Sequence, residues 1–393
     1  MKRAIGRYGA IAAIVILLPW ILLGTLLEGF VNRVEPVPLP SLEPRAQALH
    51  STSLVADLHA DSLLFGRDLL ERSDTGHVDL PRLQEGGVGL QVFAVPTVVP
   101  FGMNIHRTEL GRLDLLTLAG IAQLSPTAWL GPTGRALHRA EKLRDFARAS
   151  NDALLLLETR ADLERLLAAR AQGAEVTGAL LAIEGAHALE SKPENLQRLF
   201  EAGYRMIGLT HFFDNEFGGS AHGVEKGELT PLGRETIQEM ERLGIVLDVA
   251  HLSPTAVDEA LDLATRPVVF SHGGVRGTCD NPRNLSDDHV RRIAEGGGVI
   301  GIGYWETAVC GVNPADVARA LVYVVDLVGA DHAALGSDYD GGVTVGFDTR
   351  HVAVITQALI DAGLGDAEIR KILGENVVRV LSSTLPPAGT APH

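Results

Sequence analysis

Cysteine is almost absent: Cys279 and Cys310 are the only two among 393 residues. A cysteine-built zinc site is therefore excluded, and any metal must be held by histidine and carboxylate. The two thiols could pair in an oxidising compartment or stay free in the core, and spacing alone leaves both open. No Lys/Arg-rich run occurs, and 34 basic against 49 acidic residues give a net charge of −15. That balance argues against a nucleic-acid partner. No internal repeat is present. The glycine clusters Gly86-Gly87-Val88-Gly89 and Gly296-Gly297-Gly298 fit neither phosphate-loop pattern and read as tight helix-to-strand turns. What is abundant is apolar residues, 46% of the chain, ample for one large core.

The first residues are unlike the rest. Lys2, Arg3 and Arg7 precede an uncharged, Ile/Leu/Val/Ala-rich run over 8–27, matching the ~20 residues that cross a bilayer. The upstream positive charge, with Glu28 and Glu35 downstream, predicts a cytoplasmic amino terminus and an outer domain. A cleaved signal peptide is the competing reading. Against it, no A-x-A-like site and no early cysteine for lipid attachment follow the run. Residues 1–33 are thus expected to form a cytoplasmic tip and single transmembrane anchor. Pro36, Pro38, Pro40 and Pro44 make 34–47 a stiff spacer rather than structure, and 384–393 reads as a disordered tail.

Between the ends, short apolar runs alternate with amphipathic helical patterns, the signature of a parallel sheet. The predicted strands are 53–58, 89–95, 178–183, 206–210, 245–250, 267–271, 298–304 and 333–337. Eight is the number of a closed (β/α)₈ barrel, which takes about 250 residues or more, and 48–383 accommodates one. Predicted helices include Pro231–Leu243 behind Thr230, 254–264 behind Ser253, Asp287–Glu295 behind Ser286, and 314–327 behind Asn313, each with a capping residue in place. The long interval before the third strand looks helical over 104–128 and 132–170, an insertion at about 100–175 beside the active face.

The strand ends collect metal-type and catalytic-type residues. The first run stops at His59-Ala60-Asp61, the third at Glu184, the fourth at His211, the fifth at His251, the sixth at His272 and the eighth at Asp338. Such groups converge only if their strands share one closed sheet. His59 and Asp61 leave their strand on the same face and can bind one ion together. His251 and His272, from separate strands, suit a second zinc-type ion, and Glu184 can bridge both. Two ions sharing a hydroxide give a nucleophile and a Lewis acid. The pattern reads as a metal-dependent hydrolase. Of the other histidines, His187 and His222 lie near ligand strands and are expected behind the ligands or facing solvent. His50, His77, His106, His138, His289, His332, His351 and His393 are given no role.

These residues sit in motifs that resemble the membrane dipeptidase family, peptidase family M19. The matching pieces are Asp57-Leu58-His59-Ala60-Asp61, Val78-Asp79-Leu80-Pro81-Arg82-Leu83, Glu184-Gly185 and Leu209-Thr210-His211. They continue with Asp248-Val249-Ala250-His251, Phe270-Ser271-His272, Arg283-Asn284, Gly336-Ser337-Asp338-Tyr339-Asp340-Gly341 and Gly374-Glu375-Asn376. They run in family order through nearly the whole domain. The resemblance implies an amidohydrolase-like barrel with two zinc ions, the first on His59 and Asp61, the second on His251 and His272, bridged by Glu184 and a hydroxide. It implies that Asp338 moves a proton from the bridging water to the leaving amine. His211 would contact the scissile carbonyl and its oxyanion, and Arg283 would grip the substrate's free carboxylate through its planar fork. Leu58, Ala60 and Gly273 depart from the usual pattern, and all three are expected to alter the pocket wall near the metals.

The reading is a membrane-anchored, single-pass dizinc dipeptidase facing the extracytoplasmic side. Its expected substrate is a small dipeptide, including ones with a C-terminal D-residue. A homodimer is left open. One alternative keeps the metals but cleaves a β-lactam, a lactone or another non-peptide amide. Another is a metal-stabilised binding protein without turnover, against which intact Asp338 and His211 speak.

Overall fold

The computed structural model describes residues 28–111, 113–122 and 129–389. Eight strands form its centre: β1 (Val55–Ala60), β2 (Val88–Pro96), β3 (Thr177–Glu184), β4 (Tyr204–Gly208), β5 (Val246–Asp248), β6 (Val269–Phe270), β7 (Val299–Ile302) and β8 (Ala333–Leu335). All pair in parallel and in chain order. Leu335 of β8 registers with Asp57 of β1 and closes the cylinder. With helices outside, this is the expected (β/α)₈ barrel.

The strands are buried along their whole length because helices cover one side and side chains fill the other. Alternate residues fall into two packed clusters, as a period of two requires. Phe93 and Val95 belong to one, with Leu181 and Ile183; Leu90, Val92, Leu180 and Ala182 belong to the other. The covering helices start where the caps predict. The hydroxyls of Thr230, Ser253 and Ser286 accept from the backbone N–H of Gly233, Ala256 and His289 at 3.1, 3.1 and 3.2 Å. At Asn313 the cap runs the other way, its backbone N–H donating to Asp316 at 3.2 Å.

The interval between β2 and β3 is less helical than its composition suggests. Helices cover Leu115–Ala122, Pro132–Ala149 and Arg160–Ala171, and a short strand, Leu154–Leu156, pairs with the start of β3. Residues 99–111 and 113–114 instead fold back on themselves. Pro100 bridges Asp114 antiparallel, and Leu115 N–H reaches Val99 O at 2.7 Å. The cause is local. The Asn104 side-chain oxygen accepts from the N–H of His106 and Arg107, both at 2.9 Å, offering the backbone a turn in place of a helix.

Both ends of the domain are more structured than expected. The run over 8–27, read as the anchor, lies outside the described residues, among which no helix is long and apolar enough to cross a membrane. Just after it, Glu28 is buried and accepts from Arg67 Nε at 2.6 Å. Arg33–Val34 then pairs in parallel with Thr344–Val345, and Leu39 and Leu42 pack on the core. The segment 34–47 is therefore docked rather than a free spacer, because its apolar residues between the prolines find a surface. At the other end Leu385 and Pro386 are buried rather than part of a loose tail, and Pro386 O accepts from Arg160 N–H at 2.9 Å.

Cys279 and Cys310 are joined, with Cα atoms 5.4 Å apart. The bridge links the loop after β6 to the short turn after β7.

Candidate metal centre and active site

The C-terminal ends of six strands deliver the candidate ligands and catalytic groups to one point. Glu184 Oε1 lies 2.9 Å from His251 Nε2, 3.3 Å from His272 Nε2 and 3.7 Å from His59 Nε2. His59 Nε2 is also 3.5 Å from Asp61 Oδ2 and 3.9 Å from Asp338 Oδ1. His211 Nε2 approaches the second Glu184 oxygen at 3.4 Å. All but Asp338 are buried. His251 and Asp338 take left-handed backbone conformations, φ 64° and 61°, rare for residues with a side chain. That is strain held at the point of convergence.

Several atoms of this cluster lack what a closed protein interior normally supplies. Both ring nitrogens of His59 and Oδ1 of Asp61 are buried without a hydrogen-bond partner, a costly state. His272 is held in one tautomer. Ser271 Oγ donates to Asp248 Oδ2 at 2.5 Å and so accepts from His272 Nδ1 at 2.8 Å. His272 Nε2 is then an unprotonated lone pair, 3.0 Å from His251 Nε2 and facing a carboxylate oxygen. Burial pushes Glu184 and Asp61 well above the usual carboxylate range and holds His211, His251 and His272 well below the usual imidazole range. Acceptor atoms crowded this way need a cation, and an all-N/O donor set without thiolate suits a zinc-type ion. The residues fit a metal centre.

Asp248, though close to His59 and His272, has both oxygens engaged by Ser271 and the Ala250 N–H and acts as a support. Asp57 does the same at β1. It accepts from Ser337 N–H and Oγ at 2.7 and 2.6 Å and from Gln91 at 3.0 Å, so it ties β1 to the strand end that carries Asp338. Desolvation by the surrounding protein raises the Asp338 carboxyl above the usual carboxylate range, against the pull of His59.

Above the cluster opens a cavity of ≈ 720 Å³. Its floor is the histidines and carboxylates, and its walls are apolar, among them Leu64, Phe65, Leu115, Phe212 and Trp305. Among the described residues that line it, Arg283 is the one Lys or Arg. Its guanidinium is buried over the Phe270 ring at 5.3 Å, and Nη2 donates to His272 O at 2.6 Å. Nη1 is buried and has no partner, leaving a charged donor unsatisfied at the edge of the cluster. Gly273 makes this possible. A Cβ there, at φ +146°, would lie 2.5 Å from the Phe270 ring and 3.0 Å from Arg283 Nη1. Leu58 and Ala60 are buried in the core and do not line the cavity, so they leave its wall unchanged.

His187 and His222 are both buried, not solvent-facing. His187 accepts from the Val98 N–H at 3.1 Å, behind the wall; His222 contacts His251. His77, given no role, holds Asp340 N–H at 3.0 Å beside Arg67. The cavity walls were not visible as a motif, because apolar residues of an insertion carry no signature of what they enclose.

Residues 43–386 match the family model described as membrane dipeptidase, peptidase family M19. An uncharacterised dipeptidase of Schizosaccharomyces pombe is 32% identical over 217 residues, 52% of this chain and 53% of that protein. The chain thus spans about half the length of this curated relative. Among solved structures, dipeptidase AC, a family M19 metallopeptidase, aligns with a TM-score of 0.69 at 24% identity over 85% of this chain and 99% of its own. A Rhodobacter sphaeroides metallopeptidase liganded with a phosphinate mimic of the dipeptide L-Ala-D-Ala gives the same four values. The probable dipeptidase PvdM of Pseudomonas aeruginosa gives 0.71 at 20% identity over 87% and 99%. These structures share the fold; the family match covers almost all of the barrel, and the chain belongs to the membrane dipeptidase family, peptidase family M19.

Proposed function

We propose that the chain is a dizinc dipeptidase that hydrolyses the peptide bond of dipeptides, including those ending in a D-residue. The observation that carries the reading is Arg283: a buried guanidinium with an unpartnered N–H beside a cluster of metal-type ligands. His59 and Asp61 would hold one ion, His251 and His272 the other, and Glu184 both. When bound, the ions supply a nucleophile from water and a Lewis acid for the carbonyl. Arg283 pairs with the substrate's carboxylate, charge-assisted and directional. His211 donates to the carbonyl oxygen as negative charge develops on it. Asp338 takes the proton that water gives up and returns it to the leaving amine, so the reaction needs no other acid or base.

The D-residue part is supported by the relative crystallised with a mimic of L-Ala-D-Ala. The same proposal places the catalytic domain outside a membrane, anchored by the uncharged run over 8–27. The test is a dipeptide panel with L- and D-residues at each position and with free or amidated carboxyl ends, assayed with added zinc. Free dipeptides should be cleaved and amidated ones poorly. Equal cleavage of both would remove the role given to Arg283 and weaken the dipeptidase assignment.

A further inference from the structure

We propose that His222 is a positioning residue that fixes His251 in its metal-binding tautomer and ties that state to the roof of the cavity. The argument is one of proton bookkeeping. His222 is fully buried, with Nδ1 3.1 Å from the carbonyl of Ile105 and Nε2 3.0 Å from His251 Nδ1. A carbonyl can only accept, so the hydrogen sits on His222 Nδ1 and its Nε2 accepts. His251 Nδ1 must then be the donor, and its Nε2 carries no hydrogen, 2.9 Å from Glu184 Oε1 and 3.4 Å from Arg283 Nη2, which can donate to it.

A metal-bound histidine usually hands its other N–H to a carboxylate, a carbonyl or water. His272 is set by the Ser271–Asp248 pair, whose direction nothing on the cavity side can change. His251 is set by another imidazole, and an imidazole accepts on one side only while it donates on the other. Remove the Ile105 carbonyl and His222 is free to carry its hydrogen on Nε2, which drives a proton onto the metal-facing nitrogen of His251. Ile105 lies on the folded-back segment 99–111 and itself lines the cavity. Thr108 N–H binds His222 O at 2.7 Å, and Phe212, another wall residue, stacks on the His222 ring at 4.5 Å. The roof that meets the substrate and the ligand that meets the ion are thus one hydrogen-bonded unit.

The inference rests on the metal-centre reading. Its test is zinc content and zinc affinity, by chelator competition, of the full chain in detergent. His222→Leu should lower the content from two ions toward one, with the weaker site losing about 10- to 100-fold in affinity. His222→Gln, whose amide oxygen can accept from His251, should restore most of it. Asn104→Gly removes the side chain that holds the roof turn and should weaken the same ion in the same sense, by less. Two ions at wild-type affinity in His222→Leu would overturn the proposal, as would equal losses in the Leu and Gln variants. An unaffected Asn104→Gly would overturn the link to the roof. If the Leu variant does not fold, the Gln and Gly variants decide. A wild-type chain that takes up no zinc refutes the metal centre itself, a result distinct from any of these.

Discussion

Arg283 separates recognition of a chain end from recognition of an amide. Its Nη1 is buried and unpartnered, which is why the proposal assigns it the substrate's carboxylate. Arg283→Ala should cost about 2–4 kcal/mol in kcat/KM, roughly 30- to 1000-fold. Arg283→Lys should recover only part, because an ammonium cannot reproduce the fork. Dipeptides amidated at the carboxyl end should be hardly worse for the variant than for the wild type. Glu184 makes a different prediction, since its Oε1 is within 3.7 Å of three imidazoles. Glu184→Gln should reduce occupancy of both ions, whereas His59→Ala should mainly empty one. Elemental analysis finding two full sites in Glu184→Gln removes the bridging role. At this scale the convergent residues were legible because each ends an apolar run. Asp57 and Asp248 stood inside the matching motifs, two and three residues before a histidine, but their supporting role did not show, and His222 was placed only behind the ligands or facing solvent, without the partner it holds.

Secondary-structure elements were legible where periodicity and caps agree. Pro231–Leu243 and Asp287–Glu295 fall where the pattern put them, because a hydroxyl cap and an apolar stripe specify the same start. The expected helix over 104–128 holds only from Leu115 to Ala122; its first part was not legible, because composition favoured a helix and one asparagine side chain decided otherwise. The proline-bearing segment after residue 33 shows the same limit in reverse. Proline stiffness is visible in a sequence, but the groove that receives the stiffened chain is not. Its docking has a measurable consequence. A chain beginning at residue 28 should melt close to the full-length protein. One beginning at residue 36 loses Glu28, which pairs with largely buried Arg67, and the Arg33–Val34 pairing. Removing one partner of a buried ion pair costs up to about 3–5 kcal/mol, and less here because Arg67 keeps Asp340. The shorter chain should therefore unfold at lower temperature even though it keeps every candidate ligand. Equal melting temperatures would mean that the docked segment contributes nothing.

For the molecule as a whole, the barrel was legible from eight runs and the spacing of their ends, since only a closed sheet brings six such ends together. Whether the domain is held at a membrane depends on residues before the barrel. If the run over 8–27 is an anchor, the enzyme should stay in the membrane pellet through a high-salt wash. A mature protein that begins near residue 30, by amino-terminal sequencing, would sink that part of the proposal. The Cys279–Cys310 bridge adds a matter of timing. It fastens the loop that carries Arg283 to the turn beyond the next strand, and a newly made chain among reduced thiols lacks that fastening. Asn284 still grips Ala308 O at 2.9 Å, so the loop is expected to form but to hold its guanidinium less firmly, raising KM for free dipeptides with little change in zinc content. If the domain is exported, as proposed, full grip on the substrate would arrive only then. The cell's own dipeptides would meet an immature enzyme during synthesis, protected by where the last covalent bond is made rather than by a removable pro-segment.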